Sequence, residues 1–133
     1  MPDTLIDWDV LSAARIELGA SFVRILGYFR EDGEKSVAAI EAAMRSRNAA
    51  AMVIPAHTLK GESRQFGAEA LGMTAEIIET IARDCVEQRD EPTEALEHVV
   101  QLRPLFQETL ELLEREVNPL VARRQATFGR RPV

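Results

Sequence analysis

Apolar residues recur at spacings of three, four and seven along most of the chain, and that pattern restricts it to helices. Leu11, Leu18, Phe22, Ile25 and Phe29 step in this way, as do Val37, Ile40 and Met44. So do Met52, Leu59, Phe66 and Met73, and again Leu71, Ile78, Ile81 and Cys85. Such spacing lines up side chains on one stripe of a helix, whereas a half-buried strand needs strict alternation. No β-branched alternating run occurs, and no internal repeat or low-complexity tract. With 133 residues, 46% of them hydrophobic and 29% charged, the chain suits one compact core rather than two domains or a disordered polymer.

The spacing predicts a first helix over about residues 8–30, ended by Asp32-Gly33, and a second over about 34–47. A third follows Asn48 and runs to about residue 66, where Gly67 is a residue able to end it. Pro55 lacks the amide hydrogen a helix interior needs, which predicts a kink or a helix start just before His57. A fourth helix covers about 69–88. The last opens at Asp90-Glu91-Pro92-Thr93, an acidic cap with a proline tolerable in a first turn. It carries Leu96, Val99, Phe106, Leu110, Leu113, Val117 and Leu120, with Arg103 as the one polar interruption and Pro104 beside it.

Short connections between antiparallel helices imply an all-α fold, an antiparallel four-helix bundle with an additional N-terminal helix. The bundle is expected over 1–118, and 119–133 reads as a basic, flexible tail. The stripe of the last helix is long enough for a coiled-coil dimer seam, but the bundle needs the same stripe for its own core, which favours a monomer.

Charge and composition exclude several classes. The net charge is −6, with the four tail arginines Arg123, Arg124, Arg130 and Arg131 contributing +4 against −10 for the rest. A nucleic-acid binder needs a basic face to displace counterions, so that class is disfavoured. The single cysteine, Cys85, has no intramolecular disulfide partner and fits a reducing compartment as a buried helical residue. The N-terminal MPDTLIDWDV has neither a basic start nor an apolar core, and no segment reaches the length of a membrane span, so a cytoplasmic protein is expected. No glycine-rich phosphate loop and no H-E-x-x-H occurs. A carboxylate-bridged metal pair in a bundle requires Glu-x-x-His, yet the residue three before His57 is Ile54 and before His98 is Ala95. No metal or other cofactor is therefore expected, and His98 reads as a surface or boundary histidine.

One stretch stands apart: AHTLKGESRQFGA, residues 56–68. At about 100° per residue, Lys60, Gly61, Arg64 and Ala68 fall within about 60° of His57, opposite the stripe of Met52, Leu59 and Phe66. That places His57 on an outward face. A neutral imidazole is a competent nucleophile toward an activated phosphoryl group, and the ammonium of Lys60, one turn on, would stabilise the charge gained. Glycine inside a helix costs about 1 kcal/mol relative to alanine, so Gly61 beside a nucleophile asks for a reason. Clearance for a partner's backbone would supply one.

HTLKGESRQFGA resembles the signature of histidine-containing phosphotransfer (HPt) domains, His-x-Leu-Lys-Gly followed six residues on by Gly-Ala or a similar pair. The helical pattern over about 10–118 is also similar to that family, whose fold is a four-helix bundle. The resemblance implies that His57 is the phosphoacceptor, Lys60 the phosphate-stabilising cation, and the face of Gly61, Arg64 and Ala68 a docking surface for receiver domains. Ser63 and Gly67 match small positions of the motif, while Glu62 departs from it where a small residue is usual. By the same resemblance the chain is a phosphorelay intermediate. Its partners are response-regulator receivers and hybrid histidine kinases, and the acidic pocket and magnesium belong to the receiver. It is then a carrier with no ATP-dependent kinase activity of its own. An antiparallel connection centred near Ala68 puts Glu79 across from His57 and Glu76 across from Lys60, where Glu79 would accept the Nδ1 hydrogen and Glu76 would orient the lysine. Two other readings of the same residues are a docking module that carries no phosphate and an assembly protein that dimerises through residues 96–120.

Overall fold

The computed structural model describes residues 5–117, so the expected tail over 119–133 and Leu120 lie outside the described residues. Five α-helices and two 3-10 turns follow in order: α1 (Trp8–Leu18), Gly19–Ser21, α2 (Phe22–Arg45), α3 (Ala49–Gln65), α4 (Glu69–Gln88), Thr93–Ala95 and α5 (Leu96–Val117). Among the described residues there is no strand. Helices α2 to α5 form the antiparallel ring, each packed on its chain neighbour, with α5 closing onto α2. α1 is the additional helix and lies against α2 and α3.

The apolar stripes meet where their spacing points. Phe29 of α2 sits between Phe66 and Phe106, with ring centroids 5.4 and 5.8 Å away, and Phe22 meets Phe66 edge-on at 5.6 Å. Met52, Leu59, Leu71, Ile78, Leu102 and Leu113 are completely buried around them. Each such side chain contributes about 1.5–3 kcal/mol through removal from water. Cys85 is buried as its spacing implied, and burial pushes its thiol above the usual range. α1 starts on Asp7, whose carboxylate accepts from the amides of Asp9 and Val10, and α3 starts on Asn48, which accepts from Ala51.

Several expected boundaries move. The break at Asp32-Gly33 is absent, because α2 runs straight through it. Gly33 is there for packing: a Cβ at this position would lie 2.5 Å from the Phe106 ring. The break falls instead at Gly19, whose φ of 54° is a left-handed value that side chains resist. Pro55 neither starts nor ends a helix, since α3 has already begun at Ala49 and continues to Gln65. Met73 and Leu96 sit at core spacing yet are about half exposed, whereas Leu102, one turn before Phe106, is fully buried. Met73 lies beyond the α3–α4 turn, so the α3 stripe that suggested it has already ended there.

Candidate functional site

His57 projects from the middle of α3 with 59% of its side chain exposed, as the helical spacing predicted. Its ring is not free to turn. Nδ1 stands 2.9 Å from Oε2 of Glu79 on α4, a residue only 5% exposed. An ionised carboxylate can only accept, so the proton of this bond belongs to Nδ1, and the lone pair of a neutral ring is left on Nε2.

Glu79 is the centre of the cluster. Lys60 Nζ lies 2.8 Å from Oε1, close enough for an ion pair but without the alignment of a good hydrogen bond. Arg83, four residues beyond Glu79 on the same helix, places Nε at 2.9 Å and Nη2 at 2.8 Å from Oε2. Burial alone would raise this carboxyl, yet the close charge of Lys60 and the hydrogen bonds of Arg83 and His57 outweigh burial and hold it at about 2. One buried negative charge thus organises the imidazole and two cations.

The antiparallel register of α3 and α4 places Glu79 beside His57 as the sequence indicated, but the expected pairing of Glu76 with Lys60 is not formed. Glu76 Oε1 instead accepts from Arg64 Nη2, and Lys60 turns to Glu79. Side chains tilt toward the N-terminus of their own helix, so on antiparallel helices Lys60 leans back toward the level of His57 while Glu79 leans to meet it. Arg64, whose stem lies across Gly72 at the distance a Cβ there would find tight, leans the same way onto Glu76. It remains on the exposed side, but its charge is already paired.

Ala68 is corrected outright. It is 0% exposed, so it is no part of an outward face. α3 ends at Gln65, Gly67 adopts a φ of 75°, and the 100° step no longer applies by residue 68. Gly67 also accepts the Asp7 amide at 2.7 Å, and a Cβ on it would lie 2.5 Å from the Asp7 carbonyl, so this turn seats the start of α1. Gly61 differs from Gly33 and Gly67: a Cβ there would meet nothing within 4 Å. Nothing within the described fold requires a glycine at that exposed position.

Two contributors escaped the sequence reading. Arg83 was visible only as a four-residue spacing from Glu79, a common helical ion-pair interval. Ile54, one turn before His57, is 71% exposed and adds an apolar edge to the face. On the other side, toward α2, Glu62 is half-buried with Oε1 lacking a hydrogen-bond partner among the described residues. Burial first, and the nearby charge of Asp32 second, push its carboxyl up to about 7. His98 is half-buried on α5 and joins none of this. Among the described residues no group of three or more His, Cys, Asp and Glu side chains is placed to hold a metal, and no helix is long and apolar enough to cross a membrane.

A family model described as the Hpt domain matches residues 24–118, the span of the four-helix ring. Among solved structures the chain is similar to histidine-containing phosphotransfer protein B (HptB) of Pseudomonas aeruginosa PAO1. The two are 26% identical with a TM-score of 0.73, over 84% of this chain and 93% of that one. No curated protein matches.

Proposed function

The chain belongs to the Hpt domain family, and from that premise we propose that it carries a phosphoryl group on His57 Nε2, to and from the aspartates of receiver domains in a phosphorelay. The observation that carries this reading is the Nδ1 contact with Glu79, because it leaves Nε2 as the nucleophilic nitrogen on an exposed face. In an in-line transfer the lone pair of Nε2 attacks phosphorus as the bond to the donor carboxylate oxygen breaks and its electron pair leaves on that oxygen. Lys60 is the cation within reach to neutralise the arriving group. The bundle supplies position and charge, while the receiver supplies the activated donor.

Gly61 and Ile54 form the open side of the face on which the receiver would dock, with Gly61 giving its backbone room. Partners of this kind are response-regulator receivers and hybrid histidine kinases. The domain responsible is 1–118, with 119–133 as an appendage.

Label transfer tests the reading. A panel of radiolabelled phospho-receivers is mixed with wild-type protein and with His57→Gln. Label is expected on wild type alone, stable in base and lost in acid. A receiver that binds both forms equally and labels neither would replace the carrier reading with that of a docking module.

A further inference from the structure

Glu79 divides its partners unequally between its two oxygens. Oε2 takes His57 Nδ1 and both Nε and Nη2 of Arg83, whereas among the described residues Oε1 faces only Lys60, and without an aligned hydrogen bond. Lys60 is thus the partner that can leave without disturbing the oxygen on which His57 depends. We propose that Arg83 is a positioning residue that makes this departure possible: it holds Glu79 Oε2 against His57 Nδ1 while Lys60 moves from Oε1 to the phosphoryl group on Nε2. The inference rests on the phosphoacceptor reading of His57.

The charge balance of the transfer supports the exchange. When Nε2 forms its bond to phosphorus and the donor oxygen leaves with its electron pair, the Nδ1 proton stays in place. The ring therefore becomes cationic at the point where it touches Oε2. Glu79 gains this cation as it gives up Lys60, so the number of positive groups around the buried carboxylate is unchanged. Arg83 is present on both sides of the step. Its forked guanidinium fixes the direction of the carboxylate, which a single ammonium does not. Without Arg83 the strongest remaining attraction is Lys60 itself. The carboxylate would then be free to turn toward the lysine, loosening its hold on Nδ1–H and retaining the cation the phosphoryl group needs.

The test uses the full chain as wild type, Arg83→Gln and Arg83→Lys, with thermal melts to establish that all are folded. The ring tautomer of His57 is read by 15N NMR. Phosphorylation is driven by phosphoramidate, a small donor that needs no receiver, with ammonia as the leaving group. Wild type is expected to hold the proton on Nδ1, and Arg83→Gln to show a mixture of tautomers with phosphohistidine forming about tenfold more slowly. Arg83→Lys should recover part of both effects, since an ammonium at that position still reaches Oε2. A wild-type rate and tautomer in Arg83→Gln would overturn the proposal, as would a changed tautomer with an unchanged rate. If wild type itself takes no phosphate, the phosphoacceptor reading fails instead, and the tautomer comparison alone decides whether Arg83 positions the ring.

Discussion

Two charged clusters on opposite sides of the helical ring are built as mirror images. Between α3 and α4, one carboxylate, Glu79, faces the cations Lys60 and Arg83 and the imidazole of His57. Between α2 and α5, one guanidinium, Arg103, faces two carboxylates. Glu41 accepts from Nε and Nη2 at 3.1 and 2.9 Å, and both oxygens of Glu34 accept from Nη1 at 2.9 Å. These bonds push Arg103 above its already high range and, against a smaller opposing effect of burial, hold Glu41 below its own. The α2–α5 cluster is a closed clamp with a surplus negative charge. The α3–α4 cluster has a surplus positive charge, and one of its cations, Lys60, sits on the carboxylate oxygen that His57 and Arg83 do not use. A clamp of the first kind joins helices, and only the second kind has charge to offer an incoming phosphoryl group.

The sharpest way to break the comparison is to remove one member of each cluster. Lys60→Ala is expected to slow phosphoryl transfer from a receiver by about 10- to 100-fold and to cost about 1–3 kcal/mol, because the buried carboxylate of Glu79 loses one of its partners. Arg103→Ala should lower stability by about 1–3 kcal/mol through its orphaned, partly exposed carboxylates while the folded fraction transfers normally. Stopped transfer assays and urea melts on both variants check this. If folded Arg103→Ala also transfers slowly, the two clusters are not functionally distinct.

Acid should act next. The folded carboxyl of Glu79 is held at about 2, below the ordinary 4.5, so the stabilisation it gives is present above pH 4.5 and is lost as pH falls toward 2. Urea melts should lose about 2 kcal/mol across that window in wild type and show a flatter profile in Glu79→Gln. Glu62 has the opposite sign. Its folded carboxyl is raised to about 7, so its stabilising contribution is full below pH 4.5 and disappears as pH rises to 7. Its burial is incomplete, and after allowing for solvent screening Glu62→Gln should be the more stable protein above pH 7 by about 1 kcal/mol. The smallest expected change in stability is at Gly61, where alanine should stabilise α3 by up to about 1 kcal/mol. Transfer from a receiver should nonetheless fall by about tenfold, because the methyl group stands where a partner's backbone must approach. Faster or unchanged transfer in Gly61→Ala would remove the clearance role.

The site was legible in sequence wherever it depended on one helix or on the level of one helix against the next. His57, Lys60 and Gly61 share a face because α3 is regular through all three, and Glu79 followed from a short antiparallel connection. The reading failed where the path of the turn or the tilt of side chains decided the contact. Ala68 was assigned by extending a helical step across the Gly67 turn, and Glu76 was matched to Lys60 by backbone level alone, ignoring the tilt of long side chains. Arg83 went unnoticed because an arginine four residues after a glutamate is ordinary on any helical surface, and nothing local marks Glu79 as buried. Asp32-Gly33 was misread for a similar reason: whether a glycine ends a helix or makes room for Phe106 depends on a helix more than sixty residues away.

By itself the sequence determined that the chain is helical, which stripe of each helix is buried and where the exposed histidine and its neighbouring lysine stand, because these follow from a period of 3.6 residues and from hydrophobic burial. Only the tertiary structure decided which oxygen of Glu79 serves which partner, that Arg83 belongs to the site and that Ala68 does not. Those outcomes depend on the register and tilt of two packed helices and on the removal of one carboxylate from water, none of which has a local signature.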